Sequence, residues 1–279
     1  MQQATFNVRD FGATGNGVAS DRAAIQSALD ACGASGGGVV LLSAGVYLSG
    51  TLRLRSGVRF VLEAAAVLRG SSDPDDYDDT ADGLHPFMTK RDRWHRALLR
   101  AEDVCNVSIE GDGTIDGGAV RDPLGEEHQR GPHTILWNHA GDCQVRGVSL
   151  RDSGNYAMLA LDSQRITVEG VEVRGGWDGF HARRCASVRI AASRFWTGDD
   201  CIAGGHLDDV LVTHCRLNSS CNAVRVIGPA QRLSIRDCEI IGPGEAPHIT
   251  QSRYNALAAI LFQPGAWGQK PGFSDEIPP

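Results

Sequence analysis

Apolar residues recur through the middle of this 279-residue chain with a period of 22 or 23 residues. Five rows share the form Φ-x-Φ-x-x-Φ-x-Φ, in which Φ is usually apolar; they begin at Cys143, Ile166, Val188, Val210 and Leu233. Alternation with period 2 in each half of a row predicts a short strand, and the two-residue break predicts a bend. A fixed period of this size is typical of a solenoid, whose coils must stack because one coil cannot bury its apolar face alone.

The segment before residue 39 predicts a helix that covers the first coil of the stack. Ser20 and Asp21 are favourable N-cap residues, and a glycine-rich stretch from 33 to 38 ends the helix. One face of the predicted helix is apolar and carries Ile25, Ala28, Leu29 and Cys32.

The repeat predicts one elongated domain over residues 1–279. Its cap occupies about residues 1–38 and its coils about residues 39–265. A polar insertion occupies residues 118–133, and residues 255–262 predict one more strand after the pattern fades. Neither a capping helix nor a polar last coil follows. We therefore expect that the C-terminus is truncated or that the apolar end is covered by association.

Stacking brings acidic residues together. Asp178 and Asp200 are 22 residues apart, so they should lie one above the other at about the 4.8 Å strand spacing, with Asp199 beside them. Consecutive strand residues face opposite ways, so the backbone must bend for both aspartates to reach one surface, and Gly198 allows this bend. Adding 22 repeatedly gives three columns: Asp178, Asp200 and Asn222; Trp177, Asp199 and Cys221; His181, Ala203 and Arg225.

Three carboxylates in register are electrostatically unfavourable, because like charges a few ångströms apart repel and raise one another's pKa. Such a cluster therefore indicates a specific role. Coil corners often use aspartate, but they also accept Asn, Gly or Ser without that cost. A divalent metal is a second explanation and acid/base catalysis a third. We favour catalysis, since glycosidic cleavage needs one carboxylic acid for the leaving oxygen and one carboxylate to activate water.

Two motifs at these aspartates resemble glycoside hydrolase family 28, the polygalacturonase and rhamnogalacturonase group. Gly-Trp-Asp-Gly-Phe-His at 176–181 resembles the family's Asn-Thr-Asp-Gly-Ile-Asp, and Thr-Gly-Asp-Asp-Cys-Ile-Ala at 197–203 is close to its Gly-Asp-Asp-Cys-Ile-Ala. Residues 6–29 and 111–117 are similar to the family's opening segment and an early coil.

The resemblance implies an all-β fold, a right-handed parallel β-helix with a short N-terminal capping helix. It also implies hydrolysis of a carbohydrate substrate with inversion, without a metal or another cofactor. Carried over by position, Asp199 would be the general acid, and Asp178 and Asp200 would hold and activate the water.

The chain also departs from the family pattern. Asn222 stands at the histidine position of Gly-His-Gly, and residues 259–263 read Ala-Ile-Leu-Phe-Gln where Arg-Ile-Lys is expected. A pectic or plant-type saccharide other than plain homogalacturonan therefore fits better. Arg225, His181 and Asn222 are candidate substitute contacts, and Trp177 either stacks on a sugar face or lies buried under a loop.

Composition excludes several classes of function. The net charge is −7 and the basic residues form no run, which argues against nucleic acid. No apolar stretch approaches the ~18 residues of a membrane span. The eight cysteines show no CxxC spacing, and we interpret Cys143, Cys215 and Cys238 as small buried apolar residues. No signal peptide is evident at Met1, whereas the family resemblance favours a secreted or periplasmic protein.

Two other functions remain open at this point. A calcium-dependent polysaccharide lyase would use the acidic cluster for calcium and Arg225 as the base. A non-catalytic carbohydrate-binding or adhesin β-helix would bind its ligand without turnover. Fold alone does not separate these possibilities from a hydrolase.

Overall fold

The computed structural model describes residues 4–78 and 94–263. Its N-terminal cap is helix α1 (Arg22–Ala34), which buries the apolar face predicted from the sequence. Asp21 stands at the N-cap position, but its side chain does not bond the helix. Its carboxylate instead accepts hydrogen bonds from the backbone N–H groups of Thr14 and Gly15, at 2.6 and 3.1 Å, and thereby holds the preceding loop.

Every strand ladder in the described part of the chain is parallel, and the strands form three faces that run the length of the stack. The first face contains β5 (Leu52–Arg53), β8 (Ala97–Glu102), β11 (His133–Asn138), β14 (Met158–Leu161), β21 (Asn222–Ile227) and β24 (Ala258–Gln263). The second face contains β1 (Thr5–Asn7), β3 (Gly38–Leu42), β6 (Val58–Leu62), β9 (Cys105–Gly111), β12 (Gly141–Arg146), β15 (Gln164–Glu169) and β22 (Ala230–Arg236). The third face contains β2 (Asn16–Ser20), β4 (Gly45–Ser49), β7 (Ala66–Gly70), β10 (Thr114–Asp116), β13 (Ser149–Arg151), β16 (Glu172–Arg174), β18 (Arg194–Thr197), β20 (Arg216–Ser219) and β23 (Glu239–Ile241).

Two long strands, β17 (Phe180–Ala191) and β19 (Ile202–Thr213), join the first and second faces. The first half of β17 pairs with β14 and its second half with β15, so one continuous strand passes from one face to the next. This arrangement confirms the predicted right-handed parallel β-helix with a short N-terminal capping helix.

The corners of the coils repeat with the predicted period. The bend expected between the two halves of each row is a residue with positive φ, and so is the residue at a second corner of each coil. The first series is Gly147, Gly170, Ala192, His214 and Asp237, and the second is Asp142, Arg165, Ser187, Asp209 and Arg232. Backbone conformation at the corners is thus set by the coil geometry, since residues of very different chemistry adopt it.

The interior is a set of stacked apolar columns. Phe180, Ile202 and Val224 follow one another at intervals of 22 residues, pair in register and are buried. Cys143 and Cys215 are also buried in the interior, whereas Cys238 in a later coil is only half-buried. Near the C-terminal limit of the described chain, large apolar side chains are exposed: Ile240, Tyr254, Leu257, Ile260 and Phe262.

Among the connections described over their full length, two that lead from the third face to the first are long enough to lie across the outer surface of the first face. One is the polar insertion between β10 and β11, and the other joins β23 to β24 across residues 242–257. None of the helices in the described ranges combines the length and the apolarity that a membrane crossing requires.

Candidate active site

The three aspartates of the predicted cluster lie in turns that lead from the third face to the first. The N–H of Gly179 donates to the carbonyl of Asp200 at 2.9 Å, and the N–H of Cys201 donates to the carbonyl of Asn222 at 3.1 Å. These bonds connect adjacent coils at equivalent positions. Asp178, Asp200 and Asn222 therefore form the column that the 22-residue spacing predicts.

Asp199 belongs to the neighbouring column, because its N–H donates to the carbonyl of Trp177 at 3.3 Å. One carboxylate oxygen from each of Asp178, Asp199 and Asp200 lies within 4.8 Å of the others. Asp178 and Asp200 are 3% and 2% exposed, whereas the side chain of Asp199 is 14% exposed. Asp199 is thus the member of the cluster that a bound molecule reaches most easily.

Gly198 allows the bend before Asp199 by lacking a side chain rather than by adopting an unusual φ. Its φ is not positive. A Cβ atom there would collide with the carbonyl oxygens of Pro247 and Gly176. The glycine is required because the 242–257 connection packs directly against this turn.

Burial is the largest influence on the titration of this cluster. Desolvation raises the pKa of Asp178 well above its usual range, and the charges of Asp199 and Asp200 add to that effect. Desolvation and then Asp199 raise the pKa of Asp200 to about 6, against the opposing effects of Asn222 and Arg225. Crowding of the carboxylates therefore raises these two pKa values less than their loss of contact with water does.

Three of the residues predicted to contact substrate surround the aspartates. His181 Nδ1 lies 2.6 Å from Asp178 Oδ2, and Asn222 Nδ2 donates to Asp200 Oδ1 at 2.7 Å. Arg225 Nη1 lies 3.8 Å from Asp200 Oδ2, while its Nε and Nη2 donate to Gln263 Oε1 at 3.1 and 3.0 Å.

The exposure of these residues corrects part of the sequence interpretation. His181 and Asn222 are 5% and 2% exposed, and each places a side-chain nitrogen at one of the carboxylates. They support the aspartates and do not offer a surface to a sugar. Arg225, whose side chain is 22% exposed, is still a candidate for contact with substrate.

Trp177 is also buried, so the structure contradicts stacking of its indole on a sugar. It is 2% exposed, and its Nε1 donates to the carbonyl of Gly154 at 3.1 Å. The guanidinium of Arg130 lies over the ring, with Cζ 3.8 Å from the centroid. Burial under a loop, the other reading of this tryptophan, is what the structure shows.

Arg130 is a site residue that the sequence analysis missed. It belongs to the polar insertion, is buried, and places Nη2 3.6 Å from Asp199 Oδ2 and 3.2 Å from Glu127 Oε1. The insertion lacks a periodic pattern, so nothing in the sequence indicated which of its side chains turns inward.

His248 is a second missed residue, and it comes from the 242–257 connection. Its Nε2 lies 4.0 Å from Asp199 Oδ1, and burial lowers its pKa. The resemblance places a histidine in the coil after the aspartate pair, where this chain has none. Here a loop brings an imidazole to the cluster, and its ligand atom lies within 4.8 Å of Cys221 Sγ.

The two loops meet beside this cluster and enclose a pocket. Its wall includes Arg121 and Gln129 from the insertion, Trp177 from the coil, and Pro247 and Ile249 from the other connection. The pocket adjoins the acids through Trp177, the residue before Asp178, although none of the three aspartates is among its lining residues.

Two overlapping sets of side chains have the composition that a divalent cation accepts. They are Asp178, Asp199 and Asp200, and Asp199, Cys221 and His248, each with ligand atoms within 4.8 Å of one another. Guanidinium groups already lie at these carboxylates, Arg130 at Asp199 and Arg225 at Asp200. The two arginines therefore supply positive charge beside these acids, as a cation otherwise would.

Fold and site together define a parallel β-helix protein with a site centred on three carboxylates. The sequence profile of glycosyl hydrolases family 28 matches residues 66–220, which include all three aspartates. Because the match covers more than half of the chain, the protein belongs to this family.

Individual relatives agree with that assignment. The chain is 28% identical over 210 residues to a probable polygalacturonase of Vitis vinifera, a match that covers 70% of this chain and 43% of the relative. It is 28% identical over 202 residues to an endo-polygalacturonase of Pectobacterium carotovorum subsp. carotovorum, covering 64% of this chain and 50% of the relative. The chain thus spans half or less of the length of these two relatives.

A solved structure supports the fold. The family 28 exopolygalacturonase of Yersinia enterocolitica superimposes with a TM-score of 0.72 at 21% identity, over 99% of this chain and 62% of that one. At 21% identity this similarity is evidence for the fold alone.

Proposed function

We propose that this protein hydrolyses a glycosidic bond in a pectic or related plant-type saccharide by inverting acid/base catalysis. The observation that carries the proposal is the meeting of three carboxylates from adjacent coils within 4.8 Å, in a chain of family 28. Because burial raises the pKa of Asp178 and Asp200, the cluster can contain a carboxylic acid and a carboxylate at the same pH, which is what this reaction requires.

Asp199 is the general acid in this proposal, because it is the most exposed of the three and therefore meets the glycosidic oxygen. Asp178 and Asp200 hold the attacking water. Two acceptor oxygens up to 4.8 Å apart can share one water molecule, since each such hydrogen bond measures about 2.8 Å.

The anomeric configuration of the product has to be measured to test inversion, because the separation of the carboxylates is not the one that inverting enzymes usually have. Inverting enzymes generally keep their two carboxyl groups roughly 6.5–9.5 Å apart, and retaining enzymes keep them at about 5 Å. The closest oxygens here lie within 4.8 Å, so inversion rests on the family resemblance and not on this distance.

Cationic groups around the cluster favour an anionic saccharide such as a uronate. Arg130 and Arg225 lie near Asp199 and Asp200, and Arg183 lies beside His181. Arg225 is the candidate contact for a sugar carboxylate. Since the residues at 259–263 differ from the Arg-Ile-Lys pattern, we infer a pectic substrate other than plain homogalacturonan. We also infer a secreted or periplasmic location, where such polymers occur.

The test is a screen of pectic oligosaccharides with the wild type and Asp199→Asn, in which reducing ends and the anomeric configuration of fresh product are measured. We expect the wild type to release new reducing ends with inversion. Asp199→Asn should lower kcat by about 10²- to 10⁴-fold, the usual contribution of a general acid. Asp209→Asn is a matched control, because Asp209 is a corner aspartate ion-paired to Arg189 on the second face.

Each outcome has a separate meaning. Full activity of Asp199→Asn would overturn the assignment of the acid, and a retained anomer would overturn inversion while leaving hydrolysis in place. An unsaturated, ultraviolet-absorbing product that disappears with chelator would identify a lyase instead. Binding without turnover, unaffected by Asp199→Asn, would identify a non-catalytic β-helix.

A further inference from the structure

The structure contains a chain of three side chains that ends on one of the buried aspartates. His181 Nδ1 lies 2.6 Å from Asp178 Oδ2, and Arg183 Nε donates to His181 Nε2 at 3.1 Å. His181 and Arg183 lie two residues apart on β17, so their side chains leave the same side of the strand. The strand itself therefore places the guanidinium behind the imidazole and the imidazole behind the carboxylate.

The chemistry of arginine decides which nitrogen of His181 carries the proton. A guanidinium has only N–H donors and is not deprotonated in proteins, so Nε2 must be the acceptor in the bond from Arg183. In the neutral ring the proton is then on Nδ1, which donates to Asp178. Burial and the nearby cations lower the pKa of His181 well below its usual value, which keeps the ring neutral.

Packing holds the ring in this orientation. The rings of Tyr156 and His181 are stacked, with centroids 4.6 Å apart and planes 1° from parallel. His181 is 5% exposed, and both of its nitrogens are already engaged by protein atoms. A direct contact between this imidazole and a sugar is therefore not available.

We propose that His181, fixed as the Nδ1–H tautomer by Arg183, is a positioning residue that orients Asp178 and maintains it as the carboxylate that holds the attacking water. The proposal rests on the proposed hydrolase function. The second oxygen of Asp178 accepts the N–H of Asp200 at 3.3 Å, so the two bonds together fix the plane of the carboxylate. A donor on an ionised acid stabilises it, and this opposes the effect of burial and of the neighbouring acids.

The charged and titratable groups facing this pair come from several coils and from the insertion. They are Asp199, Asp200, Arg130, His133, Tyr156, Arg183 and Arg225. None of them is altered in the variants below, so a change in the pH profile reports on the removed donor.

The experiment compares His181→Asn with His181→Leu. The asparagine amide nitrogen takes the place of Nδ1 and retains a donor, whereas leucine has similar size and no donor. We expect His181→Leu to lower kcat by about 10- to 100-fold, the worth of a hydrogen bond to a charged group, with little change in KM. Its acid limb of kcat/KM should move to higher pH, because Asp178 ionises less easily. His181→Asn should keep both the rate, within about 5-fold, and the limb.

Three results would overturn the proposal. Equal losses in both variants, with native circular dichroism, would indicate packing and not the donor. A raised KM with unchanged kcat in His181→Leu would indicate a substrate contact. Unaltered kcat and pH profile in His181→Leu would show that Asp178 does not depend on His181.

A second measurement separates this proposal from the proposed function. Nitrogen NMR of histidine-labelled wild type should show His181 protonated at Nδ1 near neutral pH, whether or not any substrate is turned over. Observation of the Nε2–H tautomer would overturn the chain of donors. The Nδ1–H tautomer in a protein without hydrolase activity would contradict the proposed function alone.

Discussion

Asp200 illustrates how a buried acid at the site works against the stability of the fold. It is 2% exposed, and burial and Asp199 raise its pKa to about 6 from an ordinary value of 3.8. Between these two pH values the folded protein binds more protons than the unfolded chain. The stabilising effect of protonated Asp200 is therefore complete below about pH 3.8 and is lost as the pH rises through about 6.

We predict that Asp200→Asn stabilises the protein near neutral pH while it reduces activity. The gain in the free energy of unfolding should reach up to about 3 kcal/mol, since one pKa unit corresponds to 1.36 kcal/mol. It should shrink as the pH falls through about 6 and vanish near pH 4. Urea unfolding at several pH values measures this difference.

Asp209→Asn is the control with the opposite sign. The hydrogen bonds from Arg189 hold the pKa of Asp209 below its usual value, so its ionised form stabilises the folded protein. This variant should lose stability near neutral pH and match the wild type in strong acid. A loss of stability in Asp200→Asn near neutral pH would contradict our account of the buried acid.

The coils are joined by corners at which the backbone conformation repeats although the side chains do not. Ala192 has a φ of 49° and occupies the same corner as Gly147, Gly170, His214 and Asp237 in other coils. The left-handed region costs an L-residue roughly 1–2 kcal/mol, whereas glycine enters it freely. The stack therefore imposes a local cost at several corners, and inter-coil hydrogen bonds such as Ala192 N–H to Thr213 O at 3.1 Å offset it.

Ala192→Gly is predicted to stabilise the protein by about 0.5–1 kcal/mol, because the relief of the left-handed strain exceeds the extra backbone entropy of glycine. Ala191→Gly, one residue earlier and within β17, should instead destabilise it by a similar amount. Thermal and urea unfolding of the pair provide the measurement. Equal destabilisation by both substitutions would show that the corner carries no strain.

The whole molecule is held together by stacking and not by covalent cross-links. All eight cysteines are free; six are buried, Cys105 is exposed and Cys238 is half-buried. Burial raises the pKa of Cys143, Cys185 and Cys201 to about 12, so these thiols remain protonated and unreactive. They serve as small apolar side chains in the columns.

We predict that a thiol reagent labels Cys105 quickly and Cys238 more slowly in the native protein, and all eight cysteines only after unfolding. Cys105→Ser should remove the fast phase. The unfolding midpoint should be the same with and without reductant. Rapid labelling of three or more native thiols would show that the interior opens more readily than this packing allows.

The repeat predicted both a solenoid of short strands and the position of the aspartates, because both are periodic; the family resemblance added that the solenoid is a right-handed parallel β-helix. Once coils stack at a fixed spacing, residues 22 apart must share a column, as Phe180 and Ile202 do. The same spacing does not indicate which side chains on the outside of the coils are buried by their neighbours. It placed His181 in a column with Ala203 and Arg225, but it did not indicate that Tyr156 and Arg183 would bury the imidazole.

The sequence was sufficient for the β-helix, its capping helix and the column of acids, because periodic burial of apolar residues leaves one register for every coil. Arg130 and His248 became part of the site only through folding, since they lie on loops without a repeat. Where such loops rest depends on packing between distant segments. That packing also determines how far the aspartates are buried from water, and hence how far their pKa values rise.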